Sequence, residues 1–214
     1  MSFDTKKKKK SRICYRYSAV KNLRKIETMR LVLQNHMSSE FAFFESSKHQ
    51  QNRMLYYQVL CKVLFSEDNN EREFHAFMKP FELRLQPIET LDSVEQFRQE
   101  PVRRALQDIF RDLRGFIQPI QTRRHYLMFF DWFYPDYMPI LLRALEAWSP
   151  DPAANTLLKF YADFVFNRSQ RLNFPISSPN SILVFRHTSQ VISTFGRHIS
   201  ERQITNESEK YPYK

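Results

Sequence analysis

Between Asp131 and Phe195 one helical pattern follows another with room for only tight connections, and no other stretch narrows the possible folds so far. In DWFYPDYMPILLRALEAW, residues Met138, Leu141, Leu145 and Trp148 are spaced three, four and three apart. That is one apolar stripe at helical period. Asp136 is placed to cap this helix, and Pro139 falls in its first turn, where a missing N–H breaks no ladder bond. Ser149-Pro150 ends it. Asp151-Pro152 restarts the chain, with Asp as N-cap and Pro at the first helical position. This second helix is expected over 152–171, burying Leu157, Leu158, Tyr161, Phe164 and Val165, with Pro175 beyond it. Ser178-Pro179 repeats the start signal for a third helix, predicted to bury Phe185, Thr188, Ile192 and Phe195.

Short connections force neighbouring helices to pack antiparallel. Each of the three needs a neighbour to cover its stripe, and stacked helical hairpins meet that need. The rest of the chain fits the same scheme. Only Gly115 and Gly196 are glycines, which argues against sheet turns and phosphate-binding loops that need positive φ. Twenty Phe and ten Tyr supply ample core material.

Ser18 opens a helix with Leu23, Ile26, Met29 and Leu33, and a second from about Asn52 uses Leu55, Val59, Val63 and Leu64. HMSSEFAFFESS between them reads as a connector with an apolar plug. Asn70 with Glu73 forms a capping box before Phe74, Phe77, Met78, Phe81, Leu85 and Ile88. Pro80 and Pro87 lie inside that pattern and predict a kinked or two-piece helix. Ser93 with Gln96 is a further capping box. The next helix carries Val102, Leu106, Ile109, Leu113 and Ile117, closing at Gly115 to Pro119. From Thr122 the aromatic run RRHYLMFFDWF leads back to the central stretch.

Hairpin units thus begin near 18, 70, 122 and 178, about fifty residues apart, the long end for HEAT-type repeats. The expected fold is all-α, an α-α superhelix (a HEAT/ARM-type solenoid) of about four hairpin units. Neither end carries a polar capping repeat, so the chain reads as a slice of a longer array. Residues 17–205 form the repeats in this reading, flanked by a disordered basic tail at 1–16 and a frayed end at 206–214.

The net charge of +10 suggests a nucleic-acid partner, but residues 1–16 alone contribute +6 of it, through Lys6 to Lys10, Arg12 and Arg16 against Asp4. The lysine run fits a nuclear localisation signal, an RNA-tethering arm or an ordinary solvated tract. Cys14 and Cys61 are too few for a disulfide framework or a zinc site, which points to a reducing compartment. No apolar run approaches the ~20 residues of a membrane span, and the two N-x-S sites at Asn167 and Asn206 read as chance matches. The six histidines form no HExxH pair, and no nucleophile elbow, Walker loop or dinucleotide fingerprint occurs. Asp131, Asp136 and Asp151 are explained by capping and solvation. No enzyme and no cofactor are expected.

One polar stripe stands out. Arg103, Gln107, Arg111 and Arg114 follow at i, i+4, i+8 and i+11, and Arg168 and Arg171 extend the basic surface on the second central helix. On a solenoid wall such arginines can hold an acidic partner or phosphate. Pairing with Asp108 and Asp112 would instead make an ordinary solvated face. The aromatic patch Phe129, Phe130, Trp132, Phe133 and Tyr134 reads as core, not as a platform for bases.

DWFYPDYMPILLRALEAW and NRSQRLNFPISSPNSILVFRHTSQVI closely resemble the exportin-7-like nuclear export receptors of the importin-β (karyopherin) superfamily. YSAVKNLRKIETMRLVLQNHMSSEFAFF and RDLRGF resemble them in the same order, so the likeness covers roughly Tyr17 to Thr205. The resemblance implies a HEAT-repeat receptor that binds Ran-GTP and protein cargo, meets nucleoporins and shuttles between nucleus and cytoplasm through the nuclear pore. It also implies that helices 102–117 and 152–171 face inward, placing Arg103, Gln107, Arg111, Arg114, Arg168 and Arg171 near a cargo or Ran surface. Such receptors are several times longer, so this chain is expected to be a central segment whose Ran and cargo contacts need the missing repeats. The reading that competes with this one is a basic helical-repeat protein that binds RNA or serves as a protein-interaction adaptor.

Overall fold

The computed structural model describes residues 19–38, 50–66, 71–148 and 152–201. Among these every regular element is helical. In chain order they are α1 (Glu27–Gln34), α2 (Gln50–Leu64), α3 (Glu71–Glu89), α4 (Val94–Arg98), α5 (Glu100–Ile117), α6 (Arg123–Phe133), α7 (Met138–Trp148), α8 (Ala154–Val165) and α9 (Asn180–Glu201), with a 3-10 turn at Arg168–Gln170. A further helical stretch at 19–25 is broken from α1 by the extended ψ of 127° at Ile26. No described helix is long and apolar enough to cross a membrane. The expected tails, the apolar connector after Ser38 and the caps Ser18, Asn70 and Asp151 lie outside the described residues.

The chain divides into two compact units, Met1–Pro80 and Phe81–Lys214. In the first, α2 buries Tyr57, Leu60, Cys61, Val63 and Leu64, and the start of α3 buries Phe74, Phe77 and Met78. Two expectations are corrected here. Leu23 and Ile26 are exposed and Arg24 is buried instead, because its guanidinium finds the Leu64 carbonyl at 2.6 Å and pairs with Glu73. A buried cation with two acceptors is tolerated where an unpaired one is not. Leu55 and Val59 are also exposed, so α2 uses the neighbouring face. His36 is buried, stacked on Phe77 at 4.0 Å, with Nε2 donating to the Phe77 carbonyl at 2.8 Å.

α3 carries Pro80 and Pro87 without breaking, and the two-piece expectation fails. Each proline removes one ladder bond, while Phe74, Phe77 and Met78 before them and Phe81, Leu85 and Ile88 beyond are all buried as predicted.

In the second unit the capping box is present: Ser93 Oγ accepts from the Gln96 N–H at 3.2 Å, and Gln96 Oε1 accepts from the Ser93 N–H at 3.0 Å. Ser93→Ala is expected to cost about 1 kcal/mol in urea denaturation. α5 starts at Glu100 with Pro101 in its first turn and runs through Gly115 to Ile117. Thr122 Oγ1 caps α6 from the His125 N–H at 3.4 Å. Ring contacts Phe110–Phe133 at 6.3 Å and Phe116–Phe129 at 5.9 Å show α5 and α6 antiparallel, as their short connection requires. The aromatic patch of α6 is core, with Phe129, Phe130, Trp132, Phe133 and Tyr134 all buried.

Long-range partners recur at one sequence separation. Trp132 Nε1 donates to Glu82 at 3.1 Å, Trp148 Nε1 to the Phe97 carbonyl at 2.8 Å, and Arg98 Nε to the Ala147 carbonyl at 2.9 Å. Phe110 meets Phe160 at 5.1 Å, and Arg114 pairs with Asp163 at 2.6 Å. Those separations are 50, 51, 49, 50 and 49 residues, and in the first unit Arg24–Glu73 spans 49. Equivalent helices therefore stack one repeat apart. That register is the physical content of a helical-repeat fold.

Two central expectations are corrected. α8 begins at Ala154, where Ala153 provides no side-chain cap, and it ends at Val165, so Arg168 and Arg171 lie in the turn beyond it. Its core includes Phe160, while Leu158 and Val165 are half-buried. α9 packs by Val184 and Val191, leaving Phe185 and Ile192 exposed. Both pairs repeat at helical spacing, and the hydrogen bonds select between them. Tyr134 Oη meets His187 Nδ1 at 2.6 Å and Tyr161 Oη meets Thr188 Oγ1 at 2.9 Å, turning the smaller apolar residues inward.

Burial, helped by the adjacent Arg186 charge, holds His187 below its ordinary 6.5. The unfolded chain therefore takes up the proton first, so this contribution is complete above about 6.5 and lost as pH falls through the folded value. Acid destabilisation should be shallower in His187→Gln, checked by thermal melts between pH 7.5 and 5.

Candidate functional site

Three of the four stripe residues lie along the half-buried polar side of α5 already bound to carboxylates. Arg103 Nε stands 3.5 Å from Glu100, which also takes Arg104 at 2.6 Å. Arg111 donates to Asp108 at 2.8 Å, one turn away. Arg114 leaves its own helix for Asp163 of α8 at 2.6 Å, and Gln118 Nε2 donates to the same carboxylate at 2.8 Å. Gln107 is half-buried between them in sequence. The wall is thus mixed in charge, and an incoming anion competes with carboxylates already in place.

Arg168 and Arg171 reach the same end of α5 by different routes. Arg168 is exposed, with its guanidinium 5.6 Å from the Phe166 ring and Nη1 donating to the Gln118 carbonyl at 3.4 Å. Arg171 is only 2% exposed. Its Nη1 donates to the carbonyls of Ile117 at 3.0 Å and Ile120 at 2.8 Å, its Nε to that of Phe166 at 3.2 Å and its Nη2 to that of Asp163. The guanidinium also lies 5.0 Å from the Tyr126 ring. Arg171 therefore holds the turn that presents Arg168.

The structure brings Arg114, Gln118, Asp163 and Arg168 together at the C-terminal end of α5. It leaves Arg103 at the other end, three helical turns away. Sequence reading missed Asp163 and Gln118. The fifty-residue period was the signal for Asp163, since it places residue 163 one repeat after Arg114.

Tyrosine hydroxyls nearby are buried acids kept neutral: burial raises Tyr126, Tyr134 and Tyr161 above their ordinary value. Among the described residues no group of three or more His, Cys, Asp or Glu is placed to hold a metal ion. The first unit has a cavity of about 340 Å³ whose walls include Lys25, Arg30, Leu33 and the Arg24–Glu73 pair.

The sequence is similar to Exportin-7-B of Xenopus laevis, 38% identical over 190 residues, which is 86% of this chain and 18% of that protein. It is 38% identical over 205 residues to Ran-binding protein 17 of Mus musculus, covering 92% of this chain and 19% of the relative. Against Exportin-7 of Dictyostelium discoideum it is 34% identical over 177 residues, 82% of this chain and 18% of the other. The chain spans less than a fifth of the length of these relatives. No protein-family model matches it, and no solved structure matches it.

Proposed function

We propose that this chain, which is 34–38% identical over 82–92% of its own length to exportin-7 and Ran-binding protein 16 and 17 relatives, forms a stretch of the helical wall of a nuclear export receptor. It works as a non-enzymatic scaffold, binding protein cargo and Ran-GTP together with further repeats and shuttling between nucleus and cytoplasm. The observation that carries this reading is identity of 34–38% sustained through nine tenths or so of the chain, across α-helical repeats in a fifty-residue register. Scattered likeness at the core alone would support a fold and nothing more.

In this reading Arg103, Gln107, Arg111, Arg114 and Arg168 contact cargo or Ran, and Arg171 serves them by positioning Arg168. Because most of the stripe is carboxylate-paired, it contributes selectivity for acidic surfaces more than raw affinity.

The test exchanges the matched segment of Xenopus laevis Exportin-7-B for this chain. Beads carrying GTP-loaded Ran are expected to retain the chimera well above GDP-loaded beads, and to retain the 214-residue chain alone weakly or not at all. A chimera of normal helical content that fails to distinguish the two nucleotide states would overturn the reading.

A further inference from the structure

Arg24 and Glu73 are 49 residues apart and joined by an ion pair, so the first helical segment, continued by α1, and α3 are equivalent elements of successive repeats. They do not close on one another along their whole length. Between them lies the cavity of about 340 Å³, within the roughly 300–1,000 Å³ of small-molecule sites. A repeat stacked before α1 would take the side of α1 turned away from α3. The cavity therefore lies inside the array and not at an end where stacking continues.

Its walls are of two kinds. Leu33 of α1, Leu64 of α2 and Phe77 of α3 form the apolar part, and the Phe77 ring is fixed by His36 stacked on it at 4.0 Å. Arg24, Lys25 and Arg30 form the cationic part. Among the described residues Glu73 is the one carboxylate on these walls, and Arg24 holds it. Arg24 is 7% exposed, and its other terminal nitrogen donates to the Leu64 carbonyl at 2.6 Å. Lys25 and Arg30 are exposed, and among the described residues neither has a carboxylate within ion-pair distance. Two uncompensated cations thus stand over an apolar hollow.

We infer that this cavity binds a small organic anion, an apolar body carrying a phosphate or carboxylate group. The apolar body displaces water from Leu33, Leu64 and Phe77, and Lys25 and Arg30 meet the anionic group. Charge decides the sign of the ligand, because a cation would face three positive side chains and a carboxylate that is taken. Size decides against an inorganic anion alone, which leaves the apolar wall wet. Both terminal nitrogens of Arg24 are committed, so the Arg24–Glu73 pair is the fixed back of the site. Only Lys25 and Arg30 need to reorganise, which keeps the cost of ordering small. The inference does not rest on Ran or cargo binding.

The test titrates the intact chain into naphthyl phosphate, followed by its fluorescence anisotropy, with inorganic phosphate and naphthol as comparison ligands. Naphthyl phosphate is expected to bind about tenfold more tightly than either, and less tightly as salt rises. Lys25→Glu/Arg30→Glu should abolish binding. So should Ala76→Trp, which fills the cavity from an exposed position on its wall and changes no charge. Arg186→Glu/Arg197→Glu makes the same change of charge on α9 and should leave binding intact. All five positions are exposed, so the variants keep their fold, checked by circular dichroism. Equal affinity for inorganic phosphate would leave the cations without the hollow, and equal affinity for naphthol the hollow without the cations; either overturns the inference. So does binding that survives Ala76→Trp, or that falls equally in the α9 variant and so follows the net charge of +10.

Discussion

Phe133→Ala is expected to lower the stability of the second unit by about 3–5 kcal/mol, the range for truncating a fully buried aromatic ring. Phe133 is inaccessible to solvent and sits where three helices meet. Its ring lies 5.2 Å from Phe160 and 5.4 Å from Phe164 on α8, 6.3 Å from Phe110 on α5 and 6.0 Å from Phe129 on its own helix. Those neighbours are themselves fixed by further rings, so the space left behind cannot close by a rotamer change. The surrounding rings would lose dispersion contacts as well as apolar burial. Urea denaturation followed at 222 nm gives the comparison, with Phe185→Ala as control. Phe185 has the same side chain at the surface, and its loss should cost less than about 0.5 kcal/mol. If the two variants unfold at the same urea concentration, the aromatic cluster is not the core of this unit.

The same contrast marks how far the sequence could be read. Helices whose apolar residues lie on one side, such as α5 with Leu106, Ile109 and Leu113 and α7 with Met138, Leu141 and Leu145, were legible in both position and face. α9 was legible only in position. It carries Val184 and Val191 at one azimuth and Phe185 and Ile192 at another, and periodicity alone gives no means of choosing. α2 presents the same ambiguity, with Leu60 and Val63 against Leu55 and Val59. Arg24 was illegible for a different reason: a buried guanidinium is defined by its acceptors, Leu64 and Glu73, which lie 40 and 49 residues away. Much of the candidate surface was visible as an arginine stripe. Its neutralisation by Asp163 was not, because one repeat separates the partners.

Arg171 carries the second large prediction. Its four hydrogen bonds tie the end of α5, through Ile117 and Ile120, to the end of α8, through Asp163 and Phe166. Between α8 and Arg171 the chain passes through Ser169 and Gln170 at φ of 55° and 56°, left-handed conformations that side chains other than glycine rarely adopt. Such a turn persists only where its surroundings hold it, and Arg171 does so together with Asn167, whose Oδ1 accepts from the Leu172 N–H at 2.9 Å. Arg171→Met keeps much of the volume but removes every donor; the Ile117 and Phe166 carbonyls keep the Ile120 and Arg168 N–H groups, but all four hydrogen bonds to the charged group are lost, so a loss of about 3–5 kcal/mol is expected. Arg171→Lys should recover little of it, because one ammonium group cannot reach carbonyls arranged around a planar fork. The measurement is paired: urea denaturation for the global loss, and trypsin cleavage after Arg168 under native conditions for local release of the turn. Both variants should be cut faster at Arg168 than the parent chain, even where urea leaves them folded. Rescue of both readouts by lysine would mean that positive charge alone suffices there. Arg171 would then no longer be a geometric clamp, and the positioning of Arg168 would need another cause.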